Sequence, residues 1–366
     1  MASRHVLIYG AGAIGRGYLP WVFHPDDYRF TFVESDPRIR GLLNQQGSYS
    51  TFMVVDGEYR ELRVPVDGCL APGEELGESL RPDVIATAVG PRNFLSLREA
   101  LGKAQAPVIC CENDSSLPGQ MRAMTGNRDI YFAVPDVITS STAPEELLRV
   151  DPLSIVTESG VCYVEDGAGP LVLNGLLVSA EEMHSQWAAK LYIHNTPHCI
   201  AAYLGDVAGV KFVHEAMERT EIAGIVEGAM KEVAAAAQVK HGLDADFVSF
   251  YRDKELARFR NTLLFDPVSR VAREPFRKLA PNERLLGAAQ MCLTAGVQPD
   301  QLLLGIMAAF TFSRDGDPDA HIALLRRSLD PRDFLSTILR LREGESLFNL
   351  LLERWESNLS RLEAIR

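Results

Sequence analysis

The stretch Val6-Leu-Ile-Tyr9 followed by Gly10-Ala11-Gly12-Ala13-Ile14-Gly15 constrains this chain more than any other. A short apolar run bounded by glycines reads as a buried strand, and the G-x-G-x-x-G spacing behind it is the turn that feeds a nucleotide-binding helix. The three glycines serve different ends, since Gly10 makes the tight turn, Gly12 lets backbone approach a pyrophosphate, and Gly15 lets the helix pack on the strand. The helix N-terminus then faces the phosphates with unpaired N–H groups. A second apolar run, Arg29-Phe-Thr-Phe-Val33, ends in Glu34, about twenty residues beyond the motif. A carboxylate there accepts hydrogen bonds from the adenosine ribose hydroxyls and repels a 2'-phosphate, which points to NAD. Pro20 is expected to shorten or kink the first helix, and Arg38 or Arg40 could offset Glu34 and admit NADP.

The remainder of the first half continues in the same style. Residues 50 to 66 alternate like an antiparallel excursion with a turn at Asp56-Gly57, and Asp83 to Val89 and Val108 to Cys111 read as further strands. Ligands of a doubly wound sheet sit at the carboxyl ends of its strands, so Ala88, Val89 and Asn113 are expected to line the nicotinamide pocket. Asn113 also reads as a turn or cap residue. The runs Ile130 to Val134, Ser154 to Glu158, Cys162 to Val164 and Leu171 to Val178 are expected to extend the sheet.

From Ser179 the periodicity turns helical, near 209–238, 245–260, 282–295, 298–313, 318–328 and 344–364, with no convincing strand. The expectation is α/β: a Rossmann-type doubly wound sheet over residues 1–180, then an all-helical domain over 181–366. A chain of 366 residues suits two such domains.

The second half opens on Lys190-Leu-Tyr-Ile-His194-Asn195-Thr-Pro197-His198. At about 100° per residue, Lys190, His194, His198 and Asn195 fall near 0°, 40°, 80° and 140°, on one face. Ser179 to Glu182 reads as a capping box, Gly205 as a stop, and Pro197 as the cause of a bend at the polar cluster. A lysine, an amide and an imidazole on one face invite a catalytic reading, against the alternative of a solvated polar face.

Downstream, Arg258, Arg260, Arg270, Arg273, Arg277 and Lys278 crowd a short stretch of a chain whose net charge is -12. Converging tips would make an anion site; separate ones, a solvated surface with local ion pairs. The overall charge argues against nucleic-acid or anionic-membrane partners. The opening Met-Ala-Ser-Arg-His and the short run after it make no signal h-region, and no apolar segment reaches the length of a membrane span. Six scattered cysteines without a C-x-x-C suggest neither disulfides nor a thiolate zinc site, and a reduced, cytoplasmic protein is expected.

Taken in order, the glycine loop, Thr87-Ala-Val-Gly-Pro91, Cys111-Glu-Asn113, Lys190-x4-Asn195-x2-His198, Ala202-Tyr-Leu-Gly205 and the Arg270 to Leu279 block resemble the polyol-specific long-chain dehydrogenases over nearly the whole length. The resemblance implies a metal-independent NAD oxidoreductase. It implies Lys190 as general base, Asn113 and Asn195 as holders of the alcohol or alkoxide oxygen, and His198 as a substrate ligand. Oxidising a secondary alcohol requires a base and oxyanion donors on one oxygen. A lysine working near neutrality must be lowered from about 10.4 by roughly 2 to 3 pH units, with protonated His198 or oxidised nicotinamide as sources of charge. Arg258, Arg277 and Lys278 are expected to bind a substrate phosphate, making the partner a sugar phosphate; an unphosphorylated polyol or a uronate is the alternative. The chain departs from the family pattern at Pro197 and at Val137.

Two rival readings are weaker. His194-x3-His198 has the spacing of two zinc ligands, with His214 or a carboxylate as a third, but the intervening glutamate of the hydrolase motif is absent and no metal is expected. A non-catalytic NAD-binding protein would not be expected to carry Lys190, Asn195 and His198 together. Either a monomer or a small homo-oligomer fits the sequence.

Overall fold

The computed structural model describes residues 4–76, 80–168 and 174–366. Residues 1–3 of the opening segment and 171–173 of the expected run Leu171 to Val178 lie outside the described residues. The chain divides into two compact units, Met1–Trp187 with Leu263–Phe265, and Ala188–Thr262 with Asp266–Arg366. The division thus falls a few residues beyond the change of periodicity at Ser179. The short return of 263–265 is tied to the first unit by Tyr59 Oη donating to the Leu263 carbonyl at 2.7 Å and Ser140 Oγ donating to that of Phe265 at 2.7 Å.

In the first unit the strands are β1 (Arg4–Tyr9), β2 (Tyr28–Val33), β3 (Ser48–Val55), β4 (Glu58–Leu70), β5 (Val84–Thr87), β6 (Val108–Cys110), β7 (Ile130–Asp136), β8 (Ile155–Glu158), β9 (Val161–Glu165) and β10 (Leu176–Val178). They form one sheet in the order β10-β9-β7-β6-β5-β1-β2-β4-β3-β8. From β7 through β4 every neighbouring pair is parallel, the doubly wound arrangement expected from the glycine loop. The hairpin β3–β4 is antiparallel and turns at Asp56 and Gly57, whose φ values of 52° and 81° are the left-handed pair of a tight hairpin.

Both faces of the parallel strands are covered, which explains why they read as continuous apolar runs rather than alternations. Val6 and Ile8 pack on one face with Tyr18, Leu19, Phe30 and Phe32, while Leu7 and Tyr9 pack on the other with Ile85, Phe94 and Leu101. Burying each large side chain contributes roughly 1.5–3 kcal/mol. Val137, the departure noted in sequence, is a buried member of the first of these cores.

The second unit is helical. Apart from a single bridge between Phe212 and Pro267, no strand occurs among its described residues. Its centre is the helix Thr196–Val207, which packs against Asp300–Ala309, Thr220–His241 and Val268–Ala272. The crossing with Asp300–Ala309 is close: a Cβ on Gly305 would lie 2.5 Å from Ile200 Cγ1. Gly205 is not the stop that its residue type suggested, for the helix runs through it to Val207. A Cβ there would come within 3.0 Å of Val268 and 3.1 Å of Ala216, so Gly205 is a packing residue. Among the described residues no helix is long and apolar enough to cross a membrane.

Candidate active site

The glycines of the loop have different surroundings. Gly10 has φ 91°, and a Cβ there would meet the Ala88 carbonyl at 2.6 Å; a Cβ on Gly15 would overlap the Gly10 carbonyl at 1.8 Å. An added Cβ on Gly12 meets nothing within 4 Å, so the space beside it is open. Ala11 is buried beside it, and Ala13 and Ile14 begin the helical turn. That turn, Ala13–Tyr18, is π-bonded and passes into the α-turn Leu19–Val22 at Pro20. Residue 20 has no N–H for the Arg16 carbonyl, and the Tyr49 hydroxyl donates to that carbonyl at 2.8 Å instead.

Glu34, at the end of β2, is nearly buried and accepts from the Ala11 amide at 2.7 Å and from the Asp36 amide at 2.8 Å. It therefore braces the glycine loop. Arg38 pairs with Asp36 at 3.2 Å and Arg40 donates to the Glu34 backbone carbonyl at 2.8 Å, so both arginines have other work than neutralising the carboxylate.

Ala88 and Val89 are half-buried where β5 ends, and Asn113 is half-buried just beyond β6. Glu112, the middle residue of Cys111-Glu-Asn113 and given no role by the sequence reading, clamps these strand ends together. Its carboxylate accepts from the Val89 amide at 2.9 Å and the Gly90 amide at 2.8 Å. Burial pushes its pKa up, against the two amides, which favour the ionised form.

In the second unit, Lys190, His194, Asn195 and His198 are all buried, each less than 9% exposed. A solvated polar face is thereby overturned. The helix that carries them changes register: α over Ala180–Ala188, π over Ala189–Asn195, and α again over Thr196–Val207. The wider turn shifts the four side chains from the positions of a regular wheel. Thr196 Oγ1, which donates to the Arg284 carbonyl at 2.7 Å, ties the end of that turn to the rest of the unit.

Each histidine is held by a carboxylate. His194 Nδ1 is hydrogen-bonded to Glu255 Oε2, and His198 Nε2 lies 2.9 Å from Asp266 Oδ2. Burial lowers the His194 pKa to about 3 in spite of Glu255, with Lys190 adding to the effect. Burial likewise lowers His198, outweighing Asp266. Burial thus favours the neutral form of both imidazoles, which argues against protonated His198 as the source of positive charge for Lys190. Burial works to raise Asp266, but Arg270 and His198 outweigh it and hold its carboxyl below the usual range. Among the described residues no group of three or more His, Cys, Asp or Glu is arranged to hold a metal ion.

The basic block is divided by its partners, although Arg273 feels the charges of Arg270 and Arg277, and Lys278 those of Arg277 and Arg273. Lys278 is withdrawn from the anion site: it is 3% exposed, and its Nζ donates to the backbone carbonyls of Val271 and Arg273. Burial pushes its pKa well down, so it is a poor point charge for a phosphate. Arg258 is buried and donates to Glu255 at 2.7 Å, in the histidine network. Arg277 differs, for Nε pairs with Glu274 at 2.9 Å while its buried Nη1 has no hydrogen-bond partner among the described residues.

Comparison with known proteins agrees with this layout. Residues 4–125 match the family model described as Mannitol dehydrogenase Rossmann domain, and residues 183–340 match Mannitol dehydrogenase C-terminal domain. A mannitol-1-phosphate 5-dehydrogenase of Exiguobacterium is 29% identical over 95% of this chain and 96% of its own. One from Thermoanaerobacter pseudethanolicus is 27% identical over 95% of this chain and 96% of its own. The structure of Pseudomonas fluorescens mannitol 2-dehydrogenase, a ternary complex with NAD and D-mannitol, shares the fold at TM-score 0.76 and 14% identity, covering 99% of this chain and 92% of that one. With both family models matched in order over most of its length, the chain belongs to the mannitol dehydrogenase family of NAD-dependent polyol dehydrogenases.

Proposed function

We propose that the chain interconverts a ketose phosphate and an alditol phosphate of the fructose 6-phosphate and mannitol 1-phosphate type. Lys190 takes the hydroxyl proton in oxidation and returns it in reduction. Asn195 and Asn113 donate to the oxygen as its charge develops, and His198 accepts a hydrogen bond from a neighbouring substrate hydroxyl. Bound NAD supplies the hydride acceptor. The six buried, free cysteines suit a reducing compartment such as the cytoplasm.

The observation that carries the phosphate is Arg277. A buried guanidinium nitrogen left without a partner is costly, and an anionic oxygen would satisfy it. The loss of Lys278 and Arg258 to other partners leaves fewer cations to hold a phosphate and favours the second reading, an unphosphorylated polyol. Rates of NADH oxidation with fructose 6-phosphate and with fructose separate the two. Phosphate binding energy spent on positioning should give the phosphorylated ketose at least about a hundredfold advantage in kcat/KM. Arg277→Ala should erase most of that advantage and leave the free sugar nearly unaffected. Equal use of both ketoses, or an equal loss on both, would transfer the reading to the unphosphorylated polyol.

A further inference from the structure

Asp266 and Glu255 lie 68 and 61 residues from the histidines they hold, and each divides its two oxygens in the same way. Asp266 Oδ2 faces His198 Nε2, while Oδ1 accepts from Arg270 Nε at 2.8 Å and Nη2 at 2.6 Å. Glu255 Oε2 faces His194 Nδ1, while Oε1 accepts from Arg258 Nη1 at 2.7 Å, with Lys254 Nζ at 3.5 Å. Both carboxylates are almost wholly buried. An ionised carboxylate only accepts, so the nitrogen facing it carries the hydrogen. A neutral imidazole then has its lone pair on the other nitrogen. The two histidines are anchored through opposite nitrogens, and Phe259 fixes the plane of His198 by stacking at 5.0 Å and 7°.

We propose that Asp266 and Glu255 are positioning residues that lock His198 and His194 into opposite tautomers, His198 with its lone pair at Nδ1 and His194 with its lone pair at Nε2. The helix that carries Lys190 thus offers two acceptors and no imidazole donor beyond the two already spent. A polyol is rich in O–H donors, so an acceptor at His198 Nδ1 selects and orients a hydroxyl that a donor would repel. That use of the lone pair rests on the polyol reading above. The tautomers themselves do not, and they are measurable without substrate.

The amide isosteres provide the test. In Asp266→Asn the two Arg270 donors claim the amide oxygen, which turns the NH2 toward His198 Nε2 and drives the ring proton to Nδ1. An equivalent change in a protease triad leaves geometry intact and costs about four orders of magnitude in turnover. Here the expected loss in kcat/KM for the polyol substrate is at least about tenfold, with NADH affinity unchanged. Long-range 1H–15N spectra of 15N-histidine-labelled protein, assigned with His198→Gln and His194→Gln, should show neutral Nε2–H for His198 and neutral Nδ1–H for His194 near pH 7. Asp266→Asn should invert the first pattern and Glu255→Gln the second. A wild-type spectrum with His198 as imidazolium or as the Nδ1–H form overturns the proposal. So does an inverted tautomer in Asp266→Asn with turnover within twofold of wild type. If Asp266→Asn does not fold, the wild-type spectrum and Glu255→Gln still decide the tautomers. A failed polyol reading would appear as the expected tautomers without turnover on any polyol.

Discussion

Gly12 and Gly15 stand three residues apart, and the same methyl added at each should have opposite consequences. At Gly15 the new Cβ would fall 1.8 Å from the Gly10 carbonyl oxygen and 3.3 Å from Ile8 Cγ2, so backbone must move. Overpacking of this kind costs up to about 3 kcal/mol. For a unit of this size each kcal/mol lowers Tm by roughly 2–4 °C, so Gly15→Ala should melt about 6–12 °C early. At Gly12 the added Cβ meets nothing within 4 Å and φ is -79°, an ordinary value for any residue, so Gly12→Ala should melt within about 2 °C of wild type. If the pyrophosphate lies against Gly12 as we propose, the methyl takes its space, and Kd for NADH should rise at least about tenfold, or 1.4 kcal/mol. Scanning calorimetry and titration of NADH fluorescence read the two effects separately. Unchanged NADH affinity in Gly12→Ala would refute the placement of the pyrophosphate, and an unchanged melt in Gly15→Ala would refute the close helix packing.

Two further substitutions probe the chemistry and the cofactor. Lys190→Ala should lower kcat at least about a hundredfold with NADH binding nearly intact, as removal of a general base requires; near-wild-type turnover would remove Lys190 from that role. Glu34→Ser should narrow the ratio of kcat/KM for NADH over NADPH, and it should also weaken NADH binding because the Ala11 amide loses its acceptor at 2.7 Å. A wild type that already prefers NADPH would contradict the assignment of Glu34.

What was legible in the sequence is what depends on near neighbours. The apolar run of β1, the glycine identities and the carboxylate ending β2 each report a local requirement, and the parallel sheet follows from them. The partners of His194 and His198 are another matter, because separations of 61 and 68 residues leave no local pattern. Lys278 misled for a related reason. A lysine in a basic run is normally at the surface, and only the fold reveals two backbone carbonyls waiting for its three donors. Gly205 was ambiguous because a missing side chain serves both a helix stop and a close helix crossing, and here it serves the crossing.

Pro197 shows how a local rule can point to the place of an event without giving its form. The rule says that a proline inside a helix removes a donor and bends the chain, and the sequence accordingly suggested a bend at the polar cluster. The chain there has a π stretch ending at Asn195, and Pro197 lies in the first turn of the α-helix that follows. Return from π to α register leaves a carbonyl without its usual donor in any case, so a residue lacking an N–H is accommodated there at little further cost. The hydrogen bond of Thr196 to the Arg284 carbonyl also holds the end of the wide turn. Pro197→Ala should therefore keep the π register, with kcat within about threefold of wild type and stability within about 1 kcal/mol, the range set by the ring's restriction of the unfolded chain. Steady-state rates and denaturant midpoints measure both. A tenfold fall in kcat with an unchanged midpoint would show that the proline itself sets the register that places Lys190 and Asn195.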